Sequence, residues 1–257
     1  MNEHEQRFGG IARLVSDAGL ARLRAAHVCV VGIGGVGSWA VEALARSGVG
    51  ALTLIDLDEV CVTNINRQLH ALEGTVGRAK VDVMAERVRL IHPECQVTTV
   101  AEFFTEANAE RLLAPGISAV VDAIDAVGNK SRLLALCVQR GLPVVTCGAA
   151  GGRLDATAVR LADLADASHD RLLAQVRKRL RNDFGFPPAG KPMGVAAVFS
   201  PEAPILPEPP TCATGAEAEE ATLRLNCEWG YGSATFVTGT FGFAAAGWVV
   251  RRVAGGP

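Results

Sequence analysis

The sequence predicts an α/β protein: a doubly wound, Rossmann-like parallel sheet extended by antiparallel strands. Three observations carry that prediction. Residues 27–58, HVCVVGIGGVGSWAVEALARSGVGALTLIDLD, set a glycine turn between two short apolar runs and end on acids. Apolar runs then alternate with amphipathic segments as far as Cys147, the alternation of a parallel sheet with crossover helices. Polar clusters recur just after the apolar runs, at the strand ends where such sheets bind ligands.

The glycine turn organises the rest. Residues 28–31 are apolar and mostly β-branched, which reads as a buried strand. The run Gly32-Ile33-Gly34-Gly35-Val36-Gly37 follows, then a small-residue helix over about 36–46 and a second strand over 52–55 ending on Asp56. Gly32 permits the tight turn, Gly34 lets backbone approach a phosphate, and Gly37 lets helix and strand pack closely. The helix N-terminus offers free N–H groups to an anion, and Asp56 is placed to accept hydrogen bonds from a ribose.

Upstream, Phe8, Ile11, Leu14, Leu20 and Leu23 recur among arginines, consistent with short helices leading into the first strand. Downstream, Leu57-Asp58-Glu59-Val60 and Thr63-Asn64-Ile65-Asn66-Arg67-Gln68 make a polar loop longer than a connection needs, which marks function. A helix opens at Gly77-Arg78-Ala79-Lys80, with Val81, Met84, Val88 and Ile91 at helical spacing. Lys80 therefore lies on a first helical turn near the same sheet edge. Residues 95–100 read as a third strand, and 105–113 as a helix capped by Thr105. Residues 119–125, AVVDAID, read as a fourth strand entering a double-acid turn. A helix over 129–139 and a strand over 143–146 complete the alternation.

Beyond Cys147 the pattern changes. Residues 148–152, GAAGG, form a turn, and the short runs 158–161 and 195–199 look antiparallel. The helix expected between them, 168–184, carries Leu172, Leu173, Val176 and Leu180 on one stripe. Arg171, Arg177, Lys178 and Arg181 fall opposite, a local basic patch and the candidate surface for RNA contact. Residues 201–228 are rich in proline, glutamate and alanine and read as a mobile loop, with Cys212 inside it and Cys227 near its end. Residues 229–250 contain no charged side chain. Five glycines and several hydroxyls dilute that run, so it reads as a core helix, about 229–253, rather than a membrane span. The whole chain, 1–257, is thus expected to form one nucleotide-binding domain. Its parts are a core at 26–147, a helix and antiparallel extension at 148–200, the loop, and the terminal helix.

A net charge of −2 gives no global pull toward nucleic acid, so any such contact must be local. The seven cysteines are scattered and form no CxxC pair, which suggests neither a zinc site nor a disulfide framework. Free thiols without a signal peptide point to the cytoplasm.

Glycine loop, Asp56, Asn64, Arg67, Lys80 and Asp125 all fall at strand ends or helix starts on one side of the expected sheet, with Asp58 in the same loop. A nicotinamide enzyme needs the glycines and Asp56 but no cation pair and no further acid. ATP needs both: Arg67 and Lys80 neutralise phosphate charge, and Asp125 can hold Mg²⁺ beside it. The chemistry that follows is attack of a carboxylate on the α-phosphate, where neutralisation and positioning dominate.

GIGGVGS, LIDLDEV, TNINRQLH, the GRAK lysine and the DAID turn resemble the ubiquitin-activating E1-like superfamily, which includes ThiF- and MoeB-type adenylyltransferases. RFGGIARL, NRQLHAL, ECQVTTV, GAAGG and KRLRNDFG narrow the resemblance to its tRNA threonylcarbamoyladenosine dehydratases. The resemblance implies an E1-like activating-enzyme fold, with Gly34 and Gly35 against phosphate and Asp56 on the ribose. It implies Asn64, Arg67 and Lys80 on the phosphates and Asp125 on magnesium. It also implies a homodimer and leaves room for a Na⁺ or K⁺ site that the sequence does not place. ThiF- and MoeB-type relatives carry paired CxxC zinc motifs, absent here. They also carry an N-terminal arginine that reaches the partner's ATP; that position is Gly10, leaving Arg7 or Arg13 for the role. The implied reaction adenylates a threonyl carboxylate of modified tRNA and closes a ring with loss of water, without an enzyme thioester. Two alternatives remain: activation of a ubiquitin-like sulfur carrier with a sulfur-transfer protein partner, and a nucleotide-sensing module without chemistry.

Overall fold

The computed structural model describes residues 3–206 and 231–255. The elements in chain order are α1 (Glu3–Ala25), β1 (His27–Val31), α2 (Gly37–Arg46), β2 (Ala51–Ile55), α3 (Lys80–Ile91), β3 (Gln96–Val100) and α4 (Ala109–Leu112). They continue with β4 (Ala119–Asp122), α5 (Val127–Gln139), β5 (Val144–Cys147), β6 (Arg160–Asp163), α6 (Arg171–Phe184), β7 (Ala196–Phe199) and α7 (Thr235–Ala254).

The strands form one sheet in the order β3-β2-β1-β4-β5-β7-β6. Every neighbouring pair is parallel except β6 with β7, so β7 continues the parallel sheet and only the β6 edge runs against it. Successive side chains of a strand point to opposite faces, and both faces are covered. Val28 and Val30 of β1 pack with Leu44 of α2, Met84 of α3 and Phe241 of α7 in one core. Cys29 and Val31 pack with Leu133 and Leu134 of α5 and Leu173 of α6 in the other. Covering both faces explains why these strands read as continuous apolar runs rather than alternating ones.

Local chemistry sets the boundaries. Helix α1 bends at Ser16, whose φ is 69° and whose hydroxyl accepts from Gly19 N–H, starting the second half of the helix. The helix expected over 105–113 is shorter. Thr105 does not cap it: the Thr105 N–H donates to the Asn108 side-chain oxygen at 2.8 Å, which holds residues 105–108 in a turn and leaves α4 one turn long. Helix α6 starts three residues later than expected, because Asp170 caps it by accepting from Leu173 N–H at 2.9 Å. Helix α7 packs on α1, α2 and the sheet, with Val237, Phe241, Ala245 and Val249 fully buried. Among the described residues no helix is long and apolar enough to cross a membrane. Residues 207–228 of the expected mobile loop, with Cys212 and Cys227, lie outside the described residues, as do 229 and 230.

Candidate nucleotide-binding site

Strand order reverses between β1 and β4, and a crevice opens at the carboxyl ends of strands where an open α/β sheet does so. The glycine turn leaves β1 there, and the DAID turn leaves β4 beside it. Gly32 has φ +89°, and a Cβ on it would come 2.7 Å from the Ala123 carbonyl oxygen. A Cβ on Gly37 would come 1.8 Å from the Gly32 carbonyl oxygen. The first clash is with the neighbouring turn and the second lies within the glycine turn itself, so neither position admits a side chain.

Asp56 follows β2. Its carboxylate accepts the Ile33 N–H at 2.6 Å and the Asp58 N–H at 2.8 Å, which ties the acid to the glycine turn. Burial raises the Asp56 carboxyl above the ordinary aspartate range, and the Lys80 ammonium and the two N–H donors offset part of that rise. Two N–H groups leave acceptor capacity on both oxygens for a vicinal diol.

Lys80 begins α3. Its side chain is 7% exposed, and its ammonium meets the half-exposed Asp58 carboxylate at 2.7 Å. The backbone repeats the contact, Lys80 N–H donating to the Asp58 carbonyl at 3.0 Å. Arg67 lies across the glycine turn: a Cβ on Gly35 would be 3.4 Å from Arg67 Cγ. Its guanidinium donates to the Thr63 carbonyl at 2.7 Å and to the Asn66 side chain at 3.0 Å. The Arg67 carbonyl accepts from the Trp39 indole at 3.0 Å and the Thr238 hydroxyl at 3.2 Å, which anchors the arginine to α2 and α7 together. Asn64 is buried, and its side-chain oxygen accepts the Cys61 N–H at 3.1 Å; it shapes the loop that carries Arg67.

Asp125 is exposed just past β4. Among the described residues no group of three or more histidines, cysteines, aspartates and glutamates is gathered to hold a metal. The structure therefore brings Gly32, Gly34, Gly35, Gly37, Asp56, Asp58, Asn64, Arg67, Lys80 and Asp125 to one end of the sheet. The N-terminal arginines lie elsewhere and differ from each other. Arg7 pairs with Glu3 at 2.6 Å and donates to the Ile91 carbonyl, whereas Arg13 is exposed beside Gly9 and Gly10 with no partner among the described residues.

The four basic residues of α6 separate in the same way. Arg177 donates to the Ala167 carbonyl at 2.8 Å and Arg181 to the Pro187 carbonyl at 3.0 Å, both partly buried. Arg171 and Lys178 are exposed. Their side chains, unlike the other two, are free to meet a polyanion.

Sequence reasoning missed three buried polar groups at this end of the sheet. The Gln68 amide nitrogen approaches Gly34, and its oxygen has no partner among the described residues. His70 is buried with neither ring nitrogen bonded, and burial with the nearby Lys80 charge pushes it down to about 4. Lys130 is wholly buried against Asp122. A signal for Lys130 was present: it shares the stripe of Leu134 and Cys137, and a lysine on an apolar stripe needs a buried partner.

The ThiF family model matches residues 10–255. The chain is 51% identical over 251 residues to the tRNA threonylcarbamoyladenosine dehydratase of Escherichia coli K12, covering 96% of this chain and 93% of that protein. It is 49% identical over 255 residues to the enzyme of that name from Haemophilus influenzae, covering 98% and 95%. The crystal structure of E. coli tRNA N6-threonylcarbamoyladenosine dehydratase, TcdA, in complex with ATP superposes with a TM-score of 0.86 at 47% identity, over 97% of this chain and 94% of that one. With a turn, an acid and two cations gathered at one switch point and a match running nearly end to end, the chain belongs to the ThiF family.

Proposed function

We propose that this protein is an ATP-dependent tRNA threonylcarbamoyladenosine dehydratase. The observation that carries the reading is the placement of Arg67 over Gly35 and of Lys80 behind Asp58, cations on two sides of a phosphate-sized turn. Likeness along nearly the whole length to dehydratases of that name supplies the substrate.

Asp56 holds the ribose, the glycine turn takes the phosphates on backbone N–H groups, and Arg67 and Lys80 neutralise them. Lys80 leaves Asp58 only by exchanging one anion for another, so its charge stays paired throughout. A lone exposed carboxylate such as Asp125 fits Mg²⁺, which takes one or two carboxylates together with substrate phosphates; bound there it would supply further charge neutralisation. A threonyl carboxylate oxygen of the tRNA attacks the α-phosphorus, the bond to the β-phosphate oxygen breaks, and pyrophosphate leaves. A carbamoyl atom of the same side chain then attacks the activated carbonyl carbon and loses its proton. AMP departs with the carboxylate oxygen, so the ring closes with net loss of water. The nucleophile belongs to the substrate, so no enzyme thiol takes part.

The protein acts as a cytoplasmic homodimer, and Arg13 rather than Arg7 is the residue that reaches the partner's ATP, because Arg7 is already engaged. Arg171 and Lys178 contribute to the tRNA surface. A Na⁺ or K⁺ site and a sulfur-transfer protein partner belong to the same proposal, without assigned residues.

The test is mass spectrometry of tRNA nucleosides after incubation with ATP. The expected product is lighter than the substrate nucleoside by one water, with one AMP per ring closed. If modified tRNA releases no AMP while a carrier protein ending in Gly-Gly does, the protein activates a sulfur carrier instead.

A further inference from the structure

Among the described residues Lys130, a charged residue on α5, is one of the largest fully buried side chains. Its ammonium lies 3.0 Å from Asp122 Oδ2, and both side chains are 0% exposed. Asp122 ends β4, three residues before Asp125. Its carboxylate accepts the Thr146 hydroxyl at 2.6 Å and the Ile124 N–H at 3.1 Å. Lys130 Nζ donates in turn to the Ile124 carbonyl at 2.9 Å. The N–H and the C=O of Ile124 are thus held by opposite members of one buried ion pair, and the next residue in the chain is Asp125.

Packing alone does not account for this arrangement. Removing two charges from water is costly, and apolar residues of similar volume usually fill such a place as well or better. An apolar pair could pack α5 against β4. It could not bond both polar groups of Ile124. Those groups fix the direction in which the chain leaves the strand, and with it the position of Asp125.

We infer that Asp122 and Lys130 are a positioning pair that sets where the Asp125 carboxylate stands. Neither touches the nucleotide; both act through the Ile124 peptide. The inference rests on the assignment of Asp125 to the magnesium–ATP site under Proposed function.

The experiment compares ATP affinity with and without Mg²⁺, by calorimetry on the full-length protein, in a mutant cycle. Lys130→Met alone strands the Asp122 carboxylate and endangers folding. The cycle therefore uses the pair Asp122→Asn with Lys130→Met, which removes both charges and keeps an acceptor for Ile124 N–H. Thermal melts monitor the fold of each variant. Asp125→Asn is expected to lower the Mg²⁺-dependent gain in ATP affinity by about tenfold or more, and the folded pair variant to lose a similar share while keeping its Mg²⁺-free affinity. Adding Asp125→Asn to the pair variant should then change the gain by less than about threefold, since coupled sites are not additive. Multiplying effects, with the pair variant retaining most of the gain, overturn the positioning role and leave Asp125 in place. If Asp125→Asn alone leaves the gain unchanged, the metal assignment fails and the positioning inference fails with it. If the pair variant does not fold, the Thr146→Val variant, which loosens Asp122 from the other side, must reproduce part of the loss; a wild-type gain there also overturns the inference.

Discussion

Lys80 and Asp58 are bonded twice, through the ammonium and carboxylate at 2.7 Å and through the backbone at 3.0 Å. A buried lysine on the first turn of a helix thus faces a half-exposed acid in the loop that follows β2. Removing the ammonium leaves an exposed acid that water can solvate, so Lys80→Met should fold. Loss of one preorganised cation should lower AMP formation by at least about 10²-fold. Arg67→Ala should do the same at less structural risk, because its guanidinium bonds only the loop that carries it. Single-turnover AMP assays decide the matter, and near-wild-type rates in both variants would remove the cations from the mechanism.

Asp56 accepts two N–H groups in a partly dry place, and its carboxyl is raised by burial. In the proposed complex the ribose hydroxyls donate to the ionised form. ATP affinity should therefore be full at neutral pH and fall on acidification through a pKa above the ordinary aspartate range. Asp56→Asn should bind ATP weakly with a flat profile over the same window. A wild-type profile that stays flat until the protein unfolds contradicts this.

Burial lowers His70 to about 4, so the folded protein binds fewer protons than the unfolded chain below the ordinary histidine pKa. Stability from this residue is complete above that value and is lost as pH falls toward about 4. The shift corresponds to roughly 3 kcal/mol. His70→Leu should flatten the decline in denaturant midpoint between those limits. An unchanged slope would show that His70 titrates alike in both states.

A Cβ on Gly242 of α7 would meet the Val36 carbonyl oxygen at 2.5 Å and Trp39 Cβ at 2.7 Å, both at the start of α2. Gly242→Ala must push α7 away from the helix that opens at the glycine turn. The expected cost is about 1–3 kcal/mol, as for other overpacked sites, with a weaker affinity for ATP. Chemical denaturation and ATP titration of one preparation test both effects; unchanged stability would mean that the helices slide freely.

On α6 the reversals Arg171→Glu and Lys178→Glu should weaken tRNA binding without harming the fold. For every phosphate that a variant no longer neutralises, the log–log salt slope should flatten by about 0.7–0.9. Arg177→Glu should instead destabilise the protein, because it abandons the Ala167 carbonyl. Equal effects of all three on tRNA, with stability unchanged, would restore a single continuous basic face.

By itself, the sequence determined the local features whose physics lies within a few neighbours. The glycine turn, the acid following β2, the lysine opening α3 and the double acid at the end of β4 were all legible, because turns, caps and periodicity are short-range. So was the sheet, since apolar runs separated by amphipathic helices leave few alternatives. Only the tertiary structure decided what depends on residues far apart in the chain. It stretched Arg177 and Arg181 toward backbone carbonyls that a helical wheel does not contain. It separated Arg7, bonded to the end of α3, from the exposed Arg13. It joined Lys130 to Asp122, whose mutual attraction is strong only where packing has excluded water from both, at the cost of desolvating two charges. A side chain's type is written in the chain, but its partner is chosen by the dielectric and the neighbours that folding brings to it.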